Sequence, residues 1–204
     1  MLKVNRLTVA YGTHTVLEDL SFSLPDGKVI GLVGPSGIGK TTLLQALAGL
    51  VKPTGGALSH SYEKPAYIFQ EPRLFPWMTA LENVETVCED TKVASGWLSR
   101  LLPDPGVAQQ YPDELSGGMK QRVSIARALA YDGDIYFLDE PFKGLDAQTK
   151  RETAECFFQA VCGKTVLMVT HDEEDLAYCD FVFRMEGAPV SSLILEKSNS
   201  PSLE

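Results

Sequence analysis

The stretch "GPSGIGKTT", from Gly34 to Thr42, constrains the fold more than any other part of the chain. It fits the pattern G-x-x-x-x-G-K-[ST], follows the apolar run "KVIGLV" and precedes a helical pattern from about Lys40 to Leu50. Glycines let backbone N–H groups wrap phosphate oxygens, and a helix N-terminus adds the positive end of its dipole. The pattern predicts a strand, a phosphate-binding loop and a helix. An ordinary glycine-rich turn is the weaker alternative.

Individual side chains of this loop have roles that follow from their chemistry. Lys40 is expected to reach the β- and γ-phosphates of a nucleotide, and the Thr41 hydroxyl is expected to bind Mg²⁺. The candidate nucleotide-binding residues of the loop are Gly34, Pro35, Ser36, Gly37, Ile38, Gly39, Lys40, Thr41 and Thr42.

A later apolar run, "IYFLDEP", ends in the carboxylates Asp139 and Glu140. Ligands gather at the carboxyl ends of strands in open α/β sheets. We expect Asp139 to hold Mg²⁺ through water and Glu140 to polarise a water for attack on the γ-phosphate. A helix cap or solvated turn is the alternative, and the loop upstream favours the catalytic interpretation.

Three further residues lie where a nucleotide site would use them. Gln70 ends the strand pattern "AYIFQ", so its amide is expected to bridge Mg²⁺ and the attacking water. His171 follows "TVLMVT" and is expected to contact the γ-phosphate, while Tyr11 offers a ring on which adenine can stack. Each residue also has a purely structural alternative. Gln70 could be an exposed strand end, His171 a turn residue and Tyr11 a half-buried aromatic on an edge strand.

Strands alternating with helices predict an α/β fold with a mostly parallel sheet and an N-terminal antiparallel β portion. The strand, glycine loop and helix around Lys40 resemble the core of a P-loop NTPase. A length of 204 residues suits one domain. Residues 71–118 are proline-rich, with a helical pattern from Ala80 to Leu102, and are predicted to be a small helical insertion into a core of residues 1–70 and 119–204. Residues 196–204 are expected to form a frayed tail.

Charge and cysteine content exclude some classes of protein. The formal net charge of -9 argues against a nucleic-acid binder, which needs a clustered basic surface. The 4 cysteines form no C-x-x-C pair and are expected to be reduced thiols in the cytosol. No apolar run approaches the ~20 residues needed to span a bilayer. Any membrane role is therefore expected to be peripheral.

A second glycine-containing helix start, "ELSGGMKQR", runs from Glu114 to Arg122. Ser116, Gly117 and Gly118 precede a helix predicted from Met119 to Ala130, and such a start favours anion binding. The alternative is that Ser116 is only a helix N-cap and the glycines form a tight turn. A monomer with one nucleotide leaves this second start without a ligand.

Taken in order, these motifs resemble the ATP-binding subunits of ABC transporters over nearly the whole chain. "LSGG" between the phosphate loop and the strand ending in Asp139 is highly specific to that family, and "FQEPRLFPWMTALENV" is most similar to importers of nitrate, sulfonate and taurine. The resemblance implies that Ser116, Gly117 and Gly118 cap the ATP of a partner subunit, and that Asp146 of "GLD" belongs to the nucleotide site.

That resemblance also implies cofactors, partners and location. It implies ATP and Mg²⁺, a homodimer or paired ATPase subunit, integral membrane permease subunits and, indirectly, a solute-binding protein, with no nucleic acid. The chain would be cytoplasmic and peripheral on the inner face of the membrane. Phe75, Trp77 and Met78 are expected either to dock the permease or to form a small core of the insertion.

Two departures from the family pattern stand out: the segment from Gln70 to Ser116 is short, and Lys143 replaces a small residue. A soluble ABC-type ATPase of DNA repair or translation is the alternative function, disfavoured by the absence of a coiled-coil insertion and by the acidic charge. A nucleotide-binding module without turnover is a third, disfavoured by Glu140 and His171.

Overall fold

The computed structural model describes residues 1–198, which contain nine β-strands and six α-helices. The strands are β1 Leu2–Tyr11, β2 His14–Leu24, β3 Val29–Val33, β4 Gly55–Ser59, β5 Pro65–Ile68, β6 Ile135–Asp139, β7 Thr165–Val169, β8 Phe181–Gly187 and β9 Val190–Ser198. The helices are α1 Lys40–Leu47, α2 Ala80–Glu85, α3 Thr91–Leu101, α4 Gly117–Tyr131, α5 Ala147–Ala160 and α6 Glu173–Leu176.

Contacts divide the chain into two compact units. The first contains Met1–Pro65, Asp134–Asp139 and the residues from Gly163 onward. The second contains Ala66–Gly133 and Glu140–Cys162. The second unit is larger than the predicted insertion, because it also takes in α4 and α5. The single-domain organisation with an insertion at 71–118 stays a prediction.

In the first unit, eight strands have the order β4-β1-β2-β9-β8-β3-β7-β6. Strands β8, β3, β7 and β6 pair in parallel. Strand β1 pairs antiparallel with β2 and with β4. The predicted α/β class, with a mostly parallel central sheet and an N-terminal antiparallel portion, is confirmed.

The parallel strands are buried because both of their faces are covered. All five residues of β6 and of β7 are buried, which is typical of parallel strands in α/β folds. Helix α1 contacts these two strands and buries Leu43, Leu44 and Leu47. In the sheet register Val169 lies beside both Leu32 and Asp139, so β3, β7 and β6 end at the same edge.

In the second unit, α2 and α3 pack against α4, which also contacts α5. The helical pattern predicted from Ala80 to Leu102 is two helices, because Asp90 starts a new one by accepting a hydrogen bond from the Lys92 N–H. Helix α2 begins with a capping box in which Thr79 and Glu82 exchange hydrogen bonds.

Some predicted boundaries were wrong. Helix α1 ends at Leu47, because Gly49 adopts φ +75° and stops the helix. The prediction of a frayed tail was wrong for residues 196–198, which lie in β9 and pair with β8. The remaining tail residues, 199–204, lie outside the described residues. Strands β4, β8 and β9 were not predicted.

Candidate functional site

The loop after β3 has a backbone that only glycine accommodates at its key positions. Gly34, Gly37 and Gly39 have φ of +151°, +76° and +117°. A Cβ on Gly39 would lie 2.6 Å from Val16 Cγ1, so a side chain there would clash as well as strain the backbone. The sequence pattern and the conformation therefore agree on a loop shaped to bring backbone close to a ligand.

Helix α1 begins directly from this loop. Its N-cap is Gly39, which has no side chain with which to accept the first N–H groups, and no side-chain cap is present. Uncapped N–H groups at a helix start favour an anion, and the dipole adds to that preference. The predicted phosphate-binding role of residues 34–42 is consistent with this geometry.

Lys40 lies over the loop that it follows. Its Nζ donates to the Gly34 carbonyl at 2.8 Å and to the Pro35 carbonyl at 2.9 Å. The side chain is therefore folded back toward the loop rather than extended along the helix. This places a full positive charge beside the uncapped start of α1.

Thr41 and Asp139, two of the three residues predicted to bind Mg²⁺ (the third is Gln70), lie together. The Thr41 hydroxyl donates to Asp139 Oδ1 at 3.2 Å, and Asp139 is only 4% exposed. Within residues 1–198 no group of three or more His, Cys, Asp or Glu side chains could hold a metal alone. One hydroxyl and one carboxylate match the way Mg²⁺ binds nucleotides, through few protein oxygens plus phosphates and water.

A cleft of about 490 Å³ borders the same loop in the first unit. It is lined by Thr13, His14, Thr15, Val16, Glu18, Gly37, Ile38, Gly187, Ala188 and Pro189. Tyr11, the predicted adenine-stacking residue, ends β1 just before this lining and is 50% exposed. Apart from Gly37 and Ile38, the lining residues were missed by sequence reasoning, because a β-hairpin and a β8–β9 turn carry no ligand motif.

His171 is exposed and comes two residues after the end of β7. The preceding Thr170 is buried, donates to Asp175 Oδ2 at 2.7 Å and accepts from the Asp172 N–H at 3.1 Å. These bonds fix the turn between β7 and α6. His171 is therefore held at the edge of the sheet where β3 and β6 also end.

In the second unit, the structure brings together Gln70 and Glu140, the two residues predicted to act on the attacking water. Gln70 Nε2 donates to Glu140 Oε2 at 3.1 Å, although the two residues are 70 positions apart. The same oxygen also pairs with Lys143 Nζ at 2.7 Å. Glu140 has φ +47°, an unfavourable conformation for a residue with a Cβ. Strain of this kind clusters at functional sites.

The "LSGG" segment forms the start of α4. Ser116 caps the helix by accepting from the Met119 N–H at 3.2 Å, and both glycines lie in the helix rather than in a tight turn. A Cβ on Gly118 would lie 3.1 Å from Leu145 Cδ2, so packing explains that glycine. Gly117 does not have a positive φ, and apart from its chain neighbours and its own helix backbone no described atom lies within 4 Å of such a Cβ. Packing within residues 1–198 therefore gives no reason for a glycine at 117.

Asp146 is the N-cap of α5, where its Oδ1 accepts from the Thr149 N–H at 3.1 Å. Hydrogen bonds from Thr149 hold the pKa of the Asp146 carboxyl below its ordinary value. The side chain is exposed, so its helix-capping role leaves it accessible.

Arg127 on α4 is a residue that sequence reasoning missed. Its two terminal nitrogens donate to the carbonyls of Pro72 and Arg73, each at 3.1 Å. Burial lowers the pKa of its guanidinium. The arginine thereby joins the LSGG helix to the segment just after Gln70. Its one sequence signal is a charge inside the apolar stretch "VSIARALA".

The sequence model of the ABC transporter family matches residues 17–143, more than half of the chain. The chain belongs to the ABC transporter family. Within that family it is an ATP-binding ATPase chain, in agreement with the loop, the carboxylates and the LSGG segment described above. The match includes Lys40, Ser116 and Glu140.

Named relatives of this ABC ATPase include import proteins from different bacteria. It is 40% identical to an aliphatic sulfonates import ATP-binding protein of Pseudomonas syringae pv. tomato, over 88% of this chain and 80% of the relative. It is also 40% identical to the protein of the same name from Corynebacterium glutamicum, over 95% of this chain and 84% of the relative. These matches do not favour the DNA-repair or translation alternative.

Solved structures similar to this ABC ATPase are cassettes of the same family. One, described as a dimeric bacterial ABC transporter cassette, has a TM-score of 0.83 and 30% identity, covering 90% of this chain and 94% of that one. Another, a dimeric post-hydrolysis state bound to ADP and Pi, has a TM-score of 0.81 and 29% identity at the same coverage.

Among the described residues, no helix is long and apolar enough to cross a membrane.

Proposed function

We propose that this ABC ATPase binds ATP with Mg²⁺ through residues 34–42 and uses the energy of hydrolysis to drive import of a small solute. The observation that carries the nucleotide part is the Thr41 hydroxyl within 3.2 Å of the buried Asp139 carboxylate, directly behind a glycine loop that needs its glycines. A hydroxyl, a carboxylate and a helix start together fit a metal-bound triphosphate.

The protein groups in this proposal have separate tasks. Lys40 and the N–H groups at the start of α1 hold the phosphates, and Tyr11 stacks on adenine. Thr41 and Asp139 would hold Mg²⁺, with Gln70 as the further predicted ligand, and the ion would supply positive charge that stabilises the phosphate groups. Asp146 completes the nucleotide-binding set.

Hydrolysis in this proposal depends on the second carboxylate. Glu140 follows Asp139 in the chain, and its carboxylate takes the proton of the attacking water while Gln70 orients that water. His171 contacts the γ-phosphate. Support comes from the Gln70–Glu140 hydrogen bond, which holds the side chain, and from the strained backbone at Glu140, because strain of this kind clusters at functional sites.

We propose further that two ATPase subunits share each nucleotide, with Ser116, Gly117 and Gly118 of one subunit against the ATP of the other. Gly117 supports this idea, because neither space nor backbone conformation within the described residues requires a glycine there. Both similar cassette structures are dimeric. An isologous pair would place two LSGG segments on two nucleotides at once.

Ser116→Arg should leave ATP binding by the isolated chain within about twofold of wild type while abolishing turnover, because the added bulk and charge lie at the shared face. Fluorescent ATP binding and phosphate release measure the two effects. Ser116→Ala removes the hydroxyl that accepts from the Met119 N–H without adding bulk or charge, and it is the matched control for the lost N-cap, which alone costs about 1 kcal/mol. Wild-type hydrolysis by Ser116→Arg would contradict the shared site.

The membrane partner of this proposal docks on the segment Phe75–Met78. Phe75 is 39% exposed and Trp77 is 68% exposed, and their rings lie 5.6 Å apart. The buried Asn83 amide donates to the carbonyls of Phe75, Met78 and Thr79, so the loop has a defined shape. This degree of exposure favours a docking surface over a core of the insertion.

Import as the direction of transport rests on the relatives named as sulfonate importers. The permease would lie in the membrane, this chain on its cytoplasmic face, and a solute-binding protein on the far side. A small sulfonate is the solute class that these relatives support for the complete transporter.

The double substitution of Phe75 and Trp77 by Asp should reduce copurification with the permease by at least about tenfold while isolated ATPase activity stays near wild type, because a buried aromatic pair commonly dominates an interface. Uptake of labelled alkanesulfonate by cells carrying the transporter should fall in parallel. Val93→Asp, at an apolar residue on α3 that is about as exposed as Phe75, is the control. Loss of fold and ATPase activity together would instead support the insertion-core alternative.

A further inference from the structure

We infer that Lys143 is a positioning residue that restrains Glu140 and thereby limits the rate of ATP hydrolysis; the inference rests on the proposed role of Glu140. Lys143 Nζ lies 2.7 Å from Glu140 Oε2, closer than the 3.1 Å of the Gln70 amide to the same oxygen. Two donors therefore converge on one carboxylate oxygen of the group expected to take a proton from water.

The turn that joins these two residues is held firmly, so their pairing follows from the backbone. The Lys143 N–H donates to the Glu140 carbonyl at 3.2 Å. Between them, the Pro141 carbonyl accepts from the buried Gln121 amide at 2.7 Å, and Phe142 is 2% exposed. Anchoring of the two middle residues leaves Lys143 to reach across the turn to the glutamate.

Phe142 is the main apolar anchor of this turn. Its ring lies 6.4 Å from that of Phe157 and 6.2 Å from that of Phe158, both in edge-on geometry on α5. Aromatic pairs in this geometry stabilise beyond the area that they bury. The packing of Phe142 against α5 therefore fixes the backbone position of Lys143, the next residue.

The Glu140 and Lys143 side chains differ in exposure, and this difference allows the ion pair to open. The Glu140 side chain is 18% exposed, whereas that of Lys143 is 52% exposed. The glutamate is thus held in place, while the lysine can swing into solvent. When it leaves, a water takes its place at Oε2, and the proton of the attacking water passes to that carboxylate. While the ammonium lies on Oε2 beside the Gln70 amide, it occupies the position that this water would take.

Substitution of Lys143 by Gln is the direct test, because it removes the charge and leaves a polar side chain that is only one atom shorter. In the purified full chain at low salt, kcat should rise about two- to fivefold, the range set by the strength of exposed ion pairs, with KM for ATP unchanged. Lys143→Arg keeps the charge and should retain the restraint. Lys92→Gln makes the same charge change at an exposed position on α3 and should leave kcat unaltered.

The dependence of kcat on salt concentration is a second test, because a residue with only a structural role would not change that dependence. Raising KCl from about 20 mM to about 300 mM shortens the screening length and weakens exposed pairs, so wild-type kcat should approach that of Lys143→Gln. The kcat of Lys143→Gln should change less with salt than that of wild type, whereas Lys92→Gln, which keeps the Lys143–Glu140 pair, should respond to salt as wild type does. A kcat for Lys143→Gln equal to or below that of wild type, or an unchanged salt response, would overturn the inference.

Two controls separate this inference from the proposed function. If Glu140→Gln keeps normal turnover, Glu140 is not the base and both fail. If Glu140→Gln stops turnover while Lys143→Gln behaves as wild type, only the role of Lys143 fails. The Glu140→Gln and Glu140→Gln/Lys143→Gln proteins should form the same fraction of ATP-bound dimer in size-exclusion chromatography. A larger fraction for the double variant would show that Lys143 acts on assembly, contradicting the inference.

Discussion

Glu140→Gln should lower ATP turnover by about 100-fold or more, the scale expected when a positioned general base is lost. Glutamine keeps the size of the side chain and can still hydrogen-bond to Gln70, but it carries no negative charge and accepts no proton. ATP binding should persist, because Lys40, Thr41 and Asp139 are unchanged. Phosphate release under saturating ATP and Mg²⁺ measures the loss.

The same variant should accumulate as an ATP-bound dimer, because in the proposed cycle the dimer opens only after hydrolysis. Size-exclusion chromatography with and without ATP would show doubled mass for the variant and little change for wild type, at fixed protein and salt concentrations. Glu155→Gln, at an exposed glutamate on α5, is the matched control. A Glu140→Gln protein that remains monomeric and hydrolyses ATP normally would remove Glu140 from the mechanism.

Lys40→Ala should weaken ATP binding by at least about 100-fold, because a hydrogen bond to a charged group contributes about 1.5–3 kcal/mol and the ammonium supplies more than one contact to phosphate. Direct titration with a fluorescent ATP analogue measures the affinity without relying on turnover. The fold should survive, since the Lys40 side chain bonds only to the carbonyls of Gly34 and Pro35 among the contacts described.

Lys3→Ala is the matched control for this measurement, because it removes an exposed lysine from β1 in the same unit. It should bind ATP as wild type does. Near-wild-type affinity in Lys40→Ala would show that residues 34–42 do not hold the phosphates, whatever the conformation of their glycines.

Local sequence determined the elements that carry the candidate site. A glycine needed for a positive φ, a serine that caps a helix and an apolar run that makes a buried strand all act over a few neighbouring residues. The loop at 34–42, the cap at Ser116 and strand β6 were therefore predictable. Helix α1 was predicted from the right residue and three residues too long, because a glycine after its end set the stop.

Edge elements were less predictable. Strand β9, "VSSLILEKS", alternates weakly and ends in polar residues, and it forms because β8 offers it an antiparallel partner. Strand β4 likewise depends on pairing with β1. The propensity of a strand reflects its neighbours more than its own residues. The sequence pattern does not indicate which strands pair with β4 and β9, and the structure shows that these are β1 and β8.

What the sequence by itself determined was the set of chemical groups: a glycine loop with Lys40 and Thr41, the carboxylates Asp139 and Glu140, and the LSGG helix start. Only the tertiary structure decided which groups meet. Thr41 reaches Asp139 from 98 positions away, Arg127 joins α4 to the segment after Gln70, and Lys143 turns back onto Glu140. Motifs depend on local backbone geometry, whereas these contacts depend on strand register and on packed helices that bring distant residues together.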